Sequence, residues 1–169
     1  NEGGYNENEI SITFKEGINM RGIAKLIKEN TSNSEDDVYK KLKDEKYLNS
    51  VIEKYWFLTD DIKNSKIYYS LEGYLFPDTY RFNSKDVTVE EIFNKMLDQM
   101  EKELNKYKKQ IENSKYSVHE LITLASITQS EGYNEDDFKN IASVFYNRLK
   151  TGMALGSCVT SYYGVKKDM

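Results

Sequence analysis

Ser117-Val118-His119-Glu120-Leu121-Ile122-Thr123-Leu124-Ala125-Ser126-Ile127-Thr128-Gln129-Ser130-Glu131-Gly132 is the stretch of this 169-residue chain whose reading decides most. Ser117 and Glu120 stand three residues apart, the spacing at which a hydroxyl and a carboxylate satisfy the first amides of a helix. Leu121 to Ile127 is almost wholly apolar, which predicts a buried helix. Glu131 is its last side chain, and Gly132 marks a helix C-terminus. A carboxyl kept neutral there, by burial and by the negative end of the helix dipole, is a general acid. Glu131 is therefore the candidate catalytic residue, against the bland reading of a solvated glutamate at a helix end.

Working outward, Asn134 with Asp137 caps a further helix whose inward face is Phe138, Ile141, Ala142, Phe145 and Leu149. Asn147 and Arg148 fall off that stripe, and either hold substrate or a neighbouring carboxylate or stay solvated. Thr88 and Glu91 form another capping box, opening a long helix striped by Ile92, Met96, Met100, Leu104, Tyr107 and Ile111. That stripe reads as core packing and carries no chemistry. Upstream, Leu71-Glu72-Gly73-Tyr74-Leu75-Phe76-Pro77-Asp78-Thr79-Tyr80 is aromatic and pinned by the one proline of the chain. Irregular, pinned loops of this kind build binding surfaces, with Glu72 either a second active-site carboxylate or a turn acceptor. Ile67-Tyr68-Tyr69 reads as a short strand, and Asp60 to Lys66 as a linker.

The N-terminal part reads strand, helix, helix. Ile10, Ile12 and Phe14 alternate with Ser11 and Thr13, the period of a half-buried strand. Lys15-Glu16-Gly17 turns the chain, and Asn19 caps a helix with Met20, Ile23, Leu26 and Ile27 inward. Ser34 and Asp37 then cap a second helix through Val38, Tyr39 and Leu42. Helices and strands in this order, without a repeated βαβ unit, predict an α+β fold.

Composition narrows the function classes. A net charge of −4 and a pI near 5.2 argue against a protein that tracks nucleic-acid phosphates. Arginine occurs only at 21, 81 and 148, so bidentate phosphate sites are not built. Cys158 is the one cysteine, which excludes an intrachain disulfide and a cysteine-based metal cluster, and no metal site is expected. His119, the one histidine, sits in the first turn of the apolar helix and reads as a half-exposed helix-start residue. The 14 tyrosines offer flat faces with hydroxyls, which suits sugar rings as well as ordinary packing. No apolar run is long enough to span a bilayer. Asn1-Glu2-Gly3-Gly4 reads as the cut edge of an excised piece.

Three blocks together resemble the core motif of the YceG-like (MltG-type) endolytic murein transglycosylases of bacteria. They are Leu124 to Gly132, Ile141-Ala142-Ser143-Val144-Phe145-Tyr146-Asn147-Arg148-Leu149, and Gly152-Met153-Ala154-Leu155. Leu71 to Tyr80 matches independently and in the right order, and the likeness runs from about Ile10 to Gly164. The resemblance implies a LysM-like module over 1–62 and a mostly helical YceG-like catalytic domain over 63–169, cut short at its C-terminus. It implies cleavage of the bond between N-acetylmuramic acid and N-acetylglucosamine in peptidoglycan, with Glu131 as the general acid/base and no cofactor. Ordinary glycosidases need two carboxylates at a set separation; here one suffices, because the muramyl 6-hydroxyl attacks and leaves a 1,6-anhydro end. Glycan contacts are implied for Glu72, Tyr74, Tyr80, Asn147 and Thr160.

The family further implies an N-terminal membrane anchor, an extracytoplasmic location, and partners among peptidoglycan synthases and penicillin-binding proteins. This chain departs from the family in reading Thr128-Gln129-Ser130-Glu131 for the usual Val-Glu-Lys-Glu, and Cys158-Val159-Thr160 for Asp-Pro-Thr. Those departures raise a rival, a non-catalytic peptidoglycan-binding scaffold, and weak or absent turnover is expected of this piece. A pyridoxal-phosphate lyase would need a Schiff-base lysine and a phosphate-cradling glycine turn, and neither is distinguished.

Overall fold

The computed structural model describes residues 7–165, so the reading of Asn1 to Gly4 lies outside the described residues. The fold is α+β, with eight helices and one two-stranded antiparallel sheet among the described residues. The chain divides into two compact units between Asn113 and Ser114.

In the first unit, β1 (Ile10–Thr13) pairs with β2 (Thr79–Phe82), with Ile10 opposite Phe82 and Ile12 opposite Tyr80. The alternation read at Ile10 to Phe14 holds: Ile12 and Phe14 are buried, and Phe14 N–H continues the ladder to the Asp78 carbonyl at 3.0 Å. Asn19 caps α1 (Met20–Asn30) by accepting from Gly22 N–H, and Met20, Ile23, Ala24 and Ile27 face the core. Ser34 and Asp37 form the expected capping box of α2 (Glu35–Lys41). A helix absent from the sequence reading, α3 (Glu45–Lys54), starts where the Asp44 carboxylate accepts from the Lys46 and Tyr47 amides.

Two expectations near residue 65 are corrected. Asp60–Lys63 is a 3-10 turn that buries Ile62, so this polar segment plugs the core instead of linking domains. Ile67 to Tyr69 is irregular and not a strand, leaving a turn in which Asn64 receives the Ile67 amide on its carbonyl and the Lys66 amide on its side chain. Tyr69 then stacks on Tyr39 with centroids 5.7 Å apart. The boundary read at 62/63 accordingly falls inside the first unit, where Tyr55 and Phe57 from before it meet Tyr74 and Asn94 from after it.

Thr88 and Glu91 cap α4 (Val89–Asn105), which buries Ile92, Phe93, Met96, Leu97 and Met100. The stripe stops earlier than the periodicity predicts. Lys106 and Tyr107 amides bond three residues back, which tightens the last turn and rotates Tyr107 outward, leaving it 58% exposed before α5 (Lys108–Glu112).

Phenols deep in this unit make its stability depend on alkali. Burial raises the Tyr55 phenol to about 12, with the Lys54 ammonium opposing and Asp98 reinforcing, and it also raises Tyr47, Tyr74 and Tyr80. A folded pKa above the unfolded value of about 10 gives stability that is complete below that pH and lost as pH climbs toward the folded value.

The second unit is built from α6 (Val118–Glu131), α7 (Glu135–Lys150) and α8 (Cys158–Val165), the last unforeseen in the sequence. Its core is small: Leu124, Ile127 and Phe145, flanked by Ile141 and Leu155. The expectation that α6 is buried throughout is corrected, since Thr123, Ala125 and Ser126 are exposed and only one stripe is covered. Leu149, read as inward, is 40% exposed. Gly132 has an extended backbone, not a left-handed one. Its reason is space, because a Cβ would stand 2.5 Å from the Phe138 ring.

Two outcomes are expected. In urea titrations followed by tyrosine fluorescence, the first unit should weaken as pH rises above about 10, and Tyr74→Phe should flatten that loss. Gly132→Ala should destabilise the second unit by about 1–3 kcal/mol, as overpacking does, read as a lower urea midpoint.

Candidate active site

The three candidate site residues in the first unit and those in the second have different fates. Glu72 Oε1 accepts the Met20 amide at 3.0 Å, so its carboxylate caps the first turn of α1. Tyr74 is 1% exposed and lies parallel to Phe57, with centroids 6.3 Å apart. Tyr80 is buried against Phe14, and its hydroxyl donates to the Phe76 carbonyl at 2.8 Å. The Leu71–Tyr80 stretch is thus a core segment of the first unit, turned at Gly73 with φ 87° and tied to α4 by the Phe76 amide on the Met96 carbonyl. Its aromatics are those a glycan-binding loop would use, but their faces are covered.

The second unit carries the chemistry-bearing arrangement. The Ser117 and Glu120 box starts α6 as read, with Ser117 N–H on Glu120 Oε2 at 2.8 Å and the reciprocal bond at 3.1 Å. His119 is half-buried in the first turn. At the far end, Thr128 returns its hydroxyl to the Leu124 carbonyl and the Gly132 amide bonds the Thr128 carbonyl, which ends the helix at Glu131. The Glu131 side chain is exposed rather than enclosed, since α6 is covered on one side only.

One side chain that sequence reasoning passed over meets it. Ser157, 6% exposed, donates its hydroxyl to Glu131 Oε1 at 2.5 Å. The Ser157 hydroxyl oxygen in turn accepts the Val159 amide at 3.2 Å, so Ser157 also serves the first turn of α8. Glu131 therefore ends one helix and stands beside the serine that caps the start of another. A hydroxyl one residue before an apolar helical run was the available signal. Thr160 is exposed one turn into α8 and donates to the Ser157 carbonyl at 2.7 Å, which places it beside the Glu131 partner. Asn147 is exposed on the last turn of α7, and its carbonyl takes the Thr151 amide and hydroxyl.

Arg148 is half-buried and meets a backbone carbonyl. Its Nη1 donates to the Leu155 carbonyl, binding the loop between α7 and α8. Among the described residues no group of three His, Cys, Asp or Glu stands together as a metal set. An open cleft of about 630 Å³ in the first unit is lined by α2 and the start of α4, with Lys41 paired to Asp44 and Glu90 inside it. Glu131 does not line it. No described helix is long and apolar enough to cross a membrane.

Known proteins can now be set beside this geometry. The sequence matches the YceG-like family over residues 2–169. An endolytic murein transglycosylase of Bacillus subtilis is 40% identical over 159 residues, covering 94% of this chain and 44% of that protein. One of Streptococcus pneumoniae is 34% identical over 164 residues, covering 93% of this chain and 30% of that protein. The crystal structure of a YceG-like protein from Listeria monocytogenes superposes with a TM-score of 0.85 at 34% identity, over 94% of this chain and 52% of that one. The chain spans less than half the length of these two transglycosylases. With a family match along nearly its whole length and a solved relative of the same fold, this chain belongs to the YceG-like family.

Proposed function

We propose that this chain carries the peptidoglycan-cleaving centre of an endolytic murein transglycosylase, with Glu131 as its general acid/base. The observation that carries the reading is the Glu131 carboxyl at the end of α6, one oxygen held by Ser157, inside the motif by which the chain resembles transglycosylases. A bond at one oxygen leaves the other for proton transfer. In the first step the protonated carboxyl gives its proton to the glycosidic oxygen as the bond from that oxygen to C1 of N-acetylmuramic acid breaks. The resulting carboxylate then takes the proton of the muramyl 6-hydroxyl while O6 bonds to C1. Glu131 ends as it began, and the new chain end is a 1,6-anhydro sugar.

Intramolecular attack makes orientation the main contribution of the protein. Thr160, one turn from Ser157, and Asn147, at the end of α7, are the substrate contacts this reading keeps. Glu72, Tyr74 and Tyr80 support the first unit from within. The natural setting on this reading is the extracytoplasmic face of a membrane, with an anchor outside this chain. Peptidoglycan synthases and penicillin-binding proteins are the partners whose products an endolytic cut would release. The exposure of Glu131 favours a second reading, in which the chain binds glycan without turning it over.

Incubating the chain with purified sacculi and identifying sugar ends by mass spectrometry separates the two. Anhydro-muramyl ends should accumulate slowly with the unaltered protein and vanish with Glu131→Gln, while circular dichroism stays unchanged because the substitution is nearly isosteric. Cleavage by Glu131→Gln near the unaltered rate would move the acid role to another residue. Sacculus binding with no anhydro ends from either protein would select the scaffold reading.

A further inference from the structure

We propose that Ser157 is the positioning residue for Glu131, and that Arg148, by holding the loop before α8, sets where the Ser157 hydroxyl stands. The inference rests on Glu131 being the acid/base, but its first test does not require turnover.

A serine hydroxyl has one proton to give and lone pairs to receive. At Ser157 the Val159 amide occupies the receiving side, which turns the proton toward Glu131 Oε1. A glutamate at an exposed helix end otherwise samples several rotamers. Holding Oε1 orients the carboxyl and assigns proton transfer to Oε2. The assignment suits both steps, since a proton on Oε2 leaves Oε1 an acceptor for Ser157.

The loop that delivers Ser157 is tied down at three points. Met153 N–H bonds the Arg148 carbonyl at 2.8 Å, the Arg148 guanidinium bonds the Leu155 carbonyl, and Leu155 packs on the Leu124, Ile127 and Phe145 core. Gly156 adopts φ 66°, and a Cβ there would stand 2.7 Å from Arg148 Nη1. The guanidinium thus lies against bare backbone immediately before Ser157. That close approach needs a glycine twice over, for its left-handed conformation and for its missing side chain.

The test uses the whole 169-residue chain. Three-bond couplings of the Glu131 side chain, measured by NMR, should report one dominant rotamer in the unaltered protein and averaged rotamers in Ser157→Ala. Ser157→Thr, which keeps the hydroxyl, should restore the single rotamer. Gly156→Ala, which displaces the hydroxyl without removing it, should average the couplings too, and serves if Ser157→Ala fails to fold. On sacculi, Ser157→Ala should lower kcat, by up to about 100-fold if misplacement is severe, with KM unchanged. Couplings that stay put in both Ser157→Ala and Gly156→Ala overturn the proposal, whatever the turnover. So does an averaged rotamer with an unaltered kcat. If Glu131→Gln cleaves normally while the couplings behave as described, the acid/base assignment fails and Ser157 merely orders a surface carboxylate.

Discussion

Four residues of backbone pairing hold the first unit closed. β1 and β2 lie far apart in the chain, and their register puts Ile12 beside Tyr80 and Ile10 beside Phe82. Everything between them must loop out and return. The intervening helices satisfy their own amides locally, but the sheet is where the start of this unit meets the segment that leads into α4. Glu72 reinforces that closure by capping α1, and the Asn33 side chain reinforces it again by donating to the Val87 carbonyl at 2.7 Å. A pairing this short is not stable alone; the packing of Phe14, Tyr80 and Phe82 behind it supplies what four residues of ladder cannot.

Aromatic residues divide between packing and surface by their polar partners rather than by their position in motifs. Tyr55 is fully buried and gives its hydroxyl to Asp98 at 2.7 Å, while Lys54 completes the group from the same carboxylate oxygen. Tyr80 finds the Phe76 carbonyl. Each buried phenol that makes such a bond avoids the cost of an unpaired polar group, and among the described residues no buried side-chain nitrogen or oxygen lacks a partner. The second unit buries Phe145 but leaves tyrosines outside: Tyr133 is 97% exposed and Tyr162 66%. In the first unit Tyr107 is the exposed counterpart, at 58%.

The second unit works with far less. A core of three buried side chains, two flanking ones and a glycine pressed by Phe138 fixes α6 against α7. From there a loop held by Arg148 carries Ser157 to the last residue of α6. The Glu131 carboxyl is thereby specified by contacts within one small helical unit, without a buried pocket. Preorganisation at an exposed carboxyl has to come from hydrogen bonds, because packing does not surround it.

Local chemistry was legible in the sequence wherever it is decided within one turn. Capping at Asn19, Ser34, Thr88, Ser117 and Asn134 read correctly, since each box needs only residues two or three apart. The amphipathic face of α4 and the alternation of β1 read correctly for the same reason. What failed was set by how a helix ends or by distant neighbours. Tyr107 left its stripe when hydrogen bonds tightened the helix end, and Ile62 made a polar segment part of the core. Glu131 was singled out as a candidate from its motif, whereas its hydrogen-bond partner Ser157, 26 residues away, was not. No periodicity links the two positions. Only the Arg148 contact and the left-handed turn at Gly156 bring that hydroxyl to that carboxyl, and a contact of that kind exists only once the chain has folded.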